Sequence, residues 1–172
     1  IQLLNSNRAP ELLKIVDDRN GGRNVTALHW AATNGLTKCC RLILESDQAE
    51  HLITMRDADS IIPLHWAALK GNLEIVKLLI NTEKGLSCIT MQEKNGWTPL
   101  HTAARYGCSK VVKILLLTKQ GFDSLAIKNK EGKTPLEFAK EKNKTETISI
   151  INSALAPPID LTIIPWDVSI QD

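Results

Sequence analysis

The sequence predicts an all-α solenoid, a row of stacked helix-turn-helix units with loop fingers, and three observations predict it. First, nearly the same words recur at a fixed step of thirty-six residues: TALHWAATNG from Thr26, IPLHWAALKG from Ile62, TPLHTAARYG from Thr98 and TPLEFAKEKN from Thr134. Second, each copy is followed by a stretch whose apolar residues fall at the i, i+3, i+4 spacing of one helical face. Third, the 172 residues are 43% hydrophobic but only 4% aromatic, a supply that suits many small interfaces better than one large core. No copy could bury its apolar face alone, so neighbours must stack and share a core.

Along the chain, residues 1–23 read as an irregular N-terminal cap. PELLKIV (Pro10 to Val16) is helix-prone but stands too close to Thr26 for a full unit. The array spans 24–153, with units near 24–59, 60–95, 96–131 and 132–153. The third unit shows the logic of the first helix. Thr98 is a good N-cap, and Pro99 sits where a missing N–H costs nothing. Ala103 and Ala104 let neighbouring helices approach, and Gly107 stops the helix in the left-handed region. Gly35, Gly71 and Asn143 are its equivalents, Asn being the usual substitute for Gly there.

The second helices follow as TKCCRLIL (Thr37 to Leu44), LEIVKLLI (Leu73 to Ile80), SKVVKILL (Ser109 to Leu116) and TETISIIN (Thr145 to Asn152). Cys39 and Cys40 stand where the other copies have Ile75–Val76 and Val111–Val112, so both are expected to pack as small hydrophobes. After each helix Ile53 and Met55, Ile89 and Met91, and Leu125 and Ile127 alternate with polar residues. They read as the inward side of an extended loop arm. Residues 154–172 form an extended tail with three prolines and an apolar Ile163–Ile164 and Trp166 that need cover, either on the array or on a partner.

T-P-L-H-x-A-A, a glycine, an amphipathic second helix and a turn-bearing connector resemble the ankyrin repeat. The likeness covers about residues 24–153. It departs from the family in several places. The period exceeds the usual one of about 33, which implies a longer second helix or exit. Ile62 replaces the capping Thr, Ala27 replaces Pro, Glu137 replaces His and Lys140 replaces the second Ala. A lysine on that face marks the end of the array as a solvated cap.

Several constellations could in principle carry chemistry. His29, His65 and His101 recur at thirty-six, but packed helices lie about 8–10 Å apart and zinc needs nitrogen at about 2.0–2.1 Å. No metal is expected, and the resemblance implies that each His ties one unit to the next through a backbone hydrogen bond. Cys108 near His101 lacks a third group to orient the His, and no oxyanion motif is visible. Phosphate loops, G-x-G-x-x-G and H-E-x-x-H are absent from the sequence. No cofactor is implied, and the chain is read as non-catalytic. The sequons at Asn24 and Asn143 carry little weight, since Thr26 is needed as a cap. The four cysteines form no C-x-x-C pair and read as free thiols in a reducing compartment.

A net charge of +2 does not argue for nucleic acid. Arg41, Lys77 and Lys113 form a basic row along the second helices, read as a solvated outer face in preference to a docking stripe for acidic peptide or anionic lipid. No apolar run approaches the roughly 18 residues of a membrane span and no signal peptide is visible, so an intracellular, cytoplasmic location is expected.

The resemblance implies a protein partner gripped by loop tips and inner ends of first helices. Carried onto this sequence, that selects Ile61, Trp97 and Lys133 from the tips, with Asn34, Leu69, Lys70, Arg105 and Tyr106 from the helices. Trp30 and Trp66 share one position on consecutive first helices and read as inter-helix packing, with Thr102 in the third copy. The repeat logic requires no aromatic at Trp97 or Tyr106, and such aromatics often anchor interfaces. With Arg105 they are the expected energetic centre; the other reading is that Trp97 covers a neighbouring loop. The alternative is a recruiting or regulatory arm of a larger multidomain enzyme or effector, motivated by a first residue that is not Met and by the linker-like tail.

Overall fold

The computed structural model describes residues 24–156. The N-terminal cap and most of the tail, including Pro10–Val16 and Trp166, lie outside the described residues. Units one to three each contain three helices. They are α1 (Ala27–Thr33), α2 (Thr37–Leu44) and α3 (Ala49–Thr54), then α4 (Pro63–Lys70), α5 (Leu73–Ile80) and α6 (Glu83–Ser87), then α7 (Pro99–Tyr106), α8 (Ser109–Leu116) and α9 (Lys119–Asp123). Short 3-10 turns at Cys88–Thr90 and Ser124–Ala126 extend α6 and α9. The last unit has α10 (Pro135–Glu141) and α11 (Thr145–Leu155), so the final helix runs past residue 153.

First helices pack in one row, α1 on α4 on α7 on α10, and second helices in another, with α6 between α3 and α5. The shared core lies between the rows. Ala31, Ala67, Ala103 and Ala139 are buried at one register position, and Ile43, Leu79, Leu115 and Ile151 at another. Each fully buried Leu or Ile contributes roughly 1.5–3 kcal/mol, and the alanines let the first helices come close enough to collect it. Lys140, in the last described first helix, is exposed.

The third helices correct the expectation of an extended loop arm. Ile53, Ile89 and Leu125 are buried within these short helical segments, and Met55, Met91 and Ile127 are half-buried just after them. The second helices of units one to three stay at eight residues, so the longer period is housed in their exits. The local cause in units two and three is a Thr-x-x-Gly. Thr82 Oγ1 accepts from Gly85 N–H and Thr118 Oγ1 from Gly121 N–H, both at 3.0 Å. A Cβ on Gly85 would stand 1.7 Å from Leu79 O, and one on Gly121 1.9 Å from Leu115 O. Only glycine lets the third helix start so close to the end of the second. Unit one has Ala49 in that register and its third helix begins there, two residues later in phase.

Five bonds recur at each of the first two seams. His29 Nε2–H donates to Ile61 O and His65 Nε2–H to Trp97 O. Asn72 Nδ2 donates to Ala32 O, and its counterpart Cys108 donates its thiol to Leu69 O. Cys88 donates to Ile53 O and Ser124 to Ile89 O. Arg56 donates to Gln92 O and Gln92 to Lys128 O. Finally the fingers bond each other, Lys94 N–H to Asp59 O and Lys130 N–H to Asn95 O.

Gly71 and Gly107 end α4 and α7 with φ near +70°, and Asn143 takes the same region at φ 52°. At the N-termini Thr26 and Thr98 each form a reciprocal cap. The Thr N–H and hydroxyl donate to the ring Nδ1 of His29 or His101, and the Thr oxygen accepts from that residue's N–H. Thr134 does the same with the Glu137 carboxylate. These bonds place the proton of His29 and His101 on Nε2, where the bond across the seam needs it.

Candidate functional site

The face formed by fingers and first helices between units two and three carries a groove of about 180 Å³. Four of the residues expected at a partner surface line it: Ile61, Leu69, Trp97 and Tyr106. Ile61 and Trp97 precede the caps of consecutive first helices, and Leu69 and Tyr106 lie near the ends of those helices, so one step of the array brings all four together. Trp66, Thr102, His65, Glu93 and Asn95 complete the lining; Glu93 and Asn95 carry no signal in the repeat pattern.

The groove exists because one residue is small. The register position on the first helices reads Trp30, Trp66, Thr102 and Phe138. Thr102 fills far less space than the rings before and after it, and its hydroxyl turns back to Thr98 O at 3.3 Å. Trp66 meets the packing expectation in part: it is half-buried against the core, and its indole N–H donates to Asp57 at 3.3 Å. Trp30 departs from it, being 46% exposed.

Trp97 is not a free loop tip. It is half-buried, its ring centroid 4.6 Å from that of Phe138 in the next unit. Arg105 lies over both rings, with Cζ 4.9 Å from the Trp97 centroid and 5.6 Å from that of Phe138. Tyr106 is 51% exposed. Lys133 packs its ammonium 5.5 Å from the Phe138 centroid and pairs with Glu141 at 2.6 Å and Glu131 at 3.1 Å. Glu141 first, then Glu131, holds that ammonium above its usual range. Lys70 is exposed at the end of α4. Asn34 stands a unit away, exposed, its amide donating to Trp30 O at 2.9 Å. The eight residues therefore divide into a groove, a cluster around Phe138, and two outlying polar groups.

Electrostatically the two carboxylates beside the groove are already occupied. Asp57 Oδ1 accepts from the N–H groups of Asp59 and Ile61, and Glu93 Oε1 accepts from those of Asn95 and Trp97. Arg105 has no carboxylate within ion-pair distance among the described residues. Among the described residues three buried side-chain polar atoms lack partners, His65 Nδ1, Trp97 Nε1 and Asn129 Nδ2. The first follows from sequence: Ile62 stands where Thr26 and Thr98 cap, so His65 has no hydroxyl to meet. Burial lowers all three histidines, His65 to about 4.

The thiols are set for packing. Burial pushes Cys40 and Cys88 up to about 11 and raises Cys108, which keeps each protonated, the reverse of an activated nucleophile. Cys39 corrects the expectation for its pair, since it is exposed while Cys40 is buried. Among the described residues no three His, Cys, Asp or Glu side chains gather as a metal site, and no helix is long and apolar enough to cross a membrane. Arg41, Lys77 and Lys113 are exposed on the second helices, with Lys77 paired to Glu74 at 2.8 Å.

A family model for ankyrin repeats (3 copies) matches residues 2–88, 47–124 and 64–156. No curated protein matches the sequence. The repeat words, the seam bonds and a match running over most of the chain agree: the protein belongs to the ankyrin-repeat family.

Proposed function

We propose that the chain binds a protein partner through the fingers and first-helix ends of its units, without catalysis. Ankyrin repeats are in general protein–protein interaction modules, and the finer reading assigns the surface to Ile61, Leu69, Lys70, Trp97, Arg105, Tyr106 and Lys133, with Asn34 at its edge. The observation that carries it is the meeting of Ile61, Leu69, Trp97 and Tyr106 on one open groove. Open apolar hollows rimmed by polar groups are where interface anchors seat. The histidine ring nitrogens and buried thiols serve packing and seam bonds, which supports a non-catalytic role. Free thiols suit a reducing compartment, and we place the protein in the cytoplasm.

The test is site-specific crosslinking. A photoreactive phenylalanine at position 106 should give discrete protein adducts in a native lysate, and the same group at position 113 on the outer helices should not. Equal labelling from both positions would remove the assignment of this face.

A further inference from the structure

We infer that the groove receives one apolar side chain from an extended protein segment, and that an acidic residue of the same segment pairs with Arg105. The inference rests on the protein-binding reading above and names its partner's chemistry.

Shape gives the first half. The series Trp30, Trp66, Thr102, Phe138 leaves a single gap, and Trp66, Leu69, Trp97 and Tyr106 wall it with apolar surface. A hollow of about 180 Å³ is of the size that holds one benzene-sized group, since a lined cavity of ~150 Å³ does so. The Asp57 and Glu93 carboxylates are spent on their own fingers, so neither is free to hold a cationic head there.

Charge gives the second half. Arg105 adjoins the groove through Trp97, on whose ring it lies, and Phe138 flanks it as well. Stacking fixes the guanidinium plane and leaves its donors without a carboxylate among the described residues. A guanidinium so held is arranged for bidentate pairing with an Asp or Glu. Lys70, exposed at the end of α4, adds a second cation beside Leu69. Lys133, by contrast, is already engaged by Glu131 and Glu141. The free positive charge therefore lies on the groove side of the cluster.

The probe is a random twelve-residue peptide library displayed on phage and selected on the full chain. Enriched peptides should carry a Leu, Ile, Met or Phe with an Asp or Glu a few positions away. For the best peptide, Thr102→Trp, which fills the gap, should weaken binding at least tenfold. Should that variant melt early, Leu69→Glu, which sets a like charge at the rim, should do the same.

A double-mutant cycle isolates the ion pair. Changing the peptide's acid to its amide should cost about tenfold against the native chain and less than twofold against Arg105→Gln. Peptides that bind but lack an acid, ignore both groove variants, or lose equally against native and Arg105→Gln chains would overturn this inference alone. A library yielding no binder would overturn it together with the wider reading.

Discussion

His65 differs from its two counterparts by one neighbour, and that neighbour changes its chemistry. Thr26 and Thr98 hold Nδ1 of His29 and His101, while Ile62 offers a wholly buried aliphatic chain and leaves Nδ1 of His65 unpartnered. All three rings are held neutral by burial, with Nε2–H committed to a carbonyl of the next unit. The unfolded chain binds these protons near pH 6.5 and the folded chain does not until lower pH, so acid favours unfolding. Stability should be full above about pH 6.5 and decline as pH falls toward 4, where His65 finally charges in the folded state. For His65 the loss is on the order of 3 kcal/mol. Urea midpoints measured between pH 7.5 and 4 check the slope, and ring-proton shifts of His65 that move near pH 6.5 would contradict it.

At the scale of an element, the third helices show what a single repeat step conceals. Gly85→Ala would press a methyl into Leu79 O, and roughly 3 kcal/mol of stability should be lost as the start of α6 moves away. Thermal melts of this variant against Gly85→Ser, which carries the same Cβ, should show both far below the native chain. First and second helices were readable from sequence because caps, alanines, left-handed stops and apolar spacing all act within a few residues of one another. The third helix was missed because Ile89–Met91 and Leu125–Ile127 alternate like a strand. The local signal was present in Thr82-x-x-Gly85 and Thr118-x-x-Gly121, which share the thirty-six-residue step. For the candidate site, the family resemblance selects Ile61, Leu69, Trp97 and Tyr106, whereas the burial of Trp97 depends on Phe138, forty-one positions on, and the gap at Thr102 appears only when the rings on either side are in place.

The whole molecule is a line of seams, and its stability should behave as a sum over neighbours. Phe138 joins the last two units, buried beneath Trp97 and beside His101. Phe138→Ala should cost about 3–5 kcal/mol, and the damage should stay local. Hydrogen exchange ought to rise through α10, α11 and the end of α7, with α1 and α2 unchanged; uniform loss of protection would show instead that the array melts as one body. The five bonds repeated at each of the first two seams join fingers, first helices and exits alike, so neither edge of the row can open while the other stays closed. A ligand spanning several units would then meet a graduated rule, its marks about 8–10 Å apart, and would have to fit that spacing rather than bend the protein to its own.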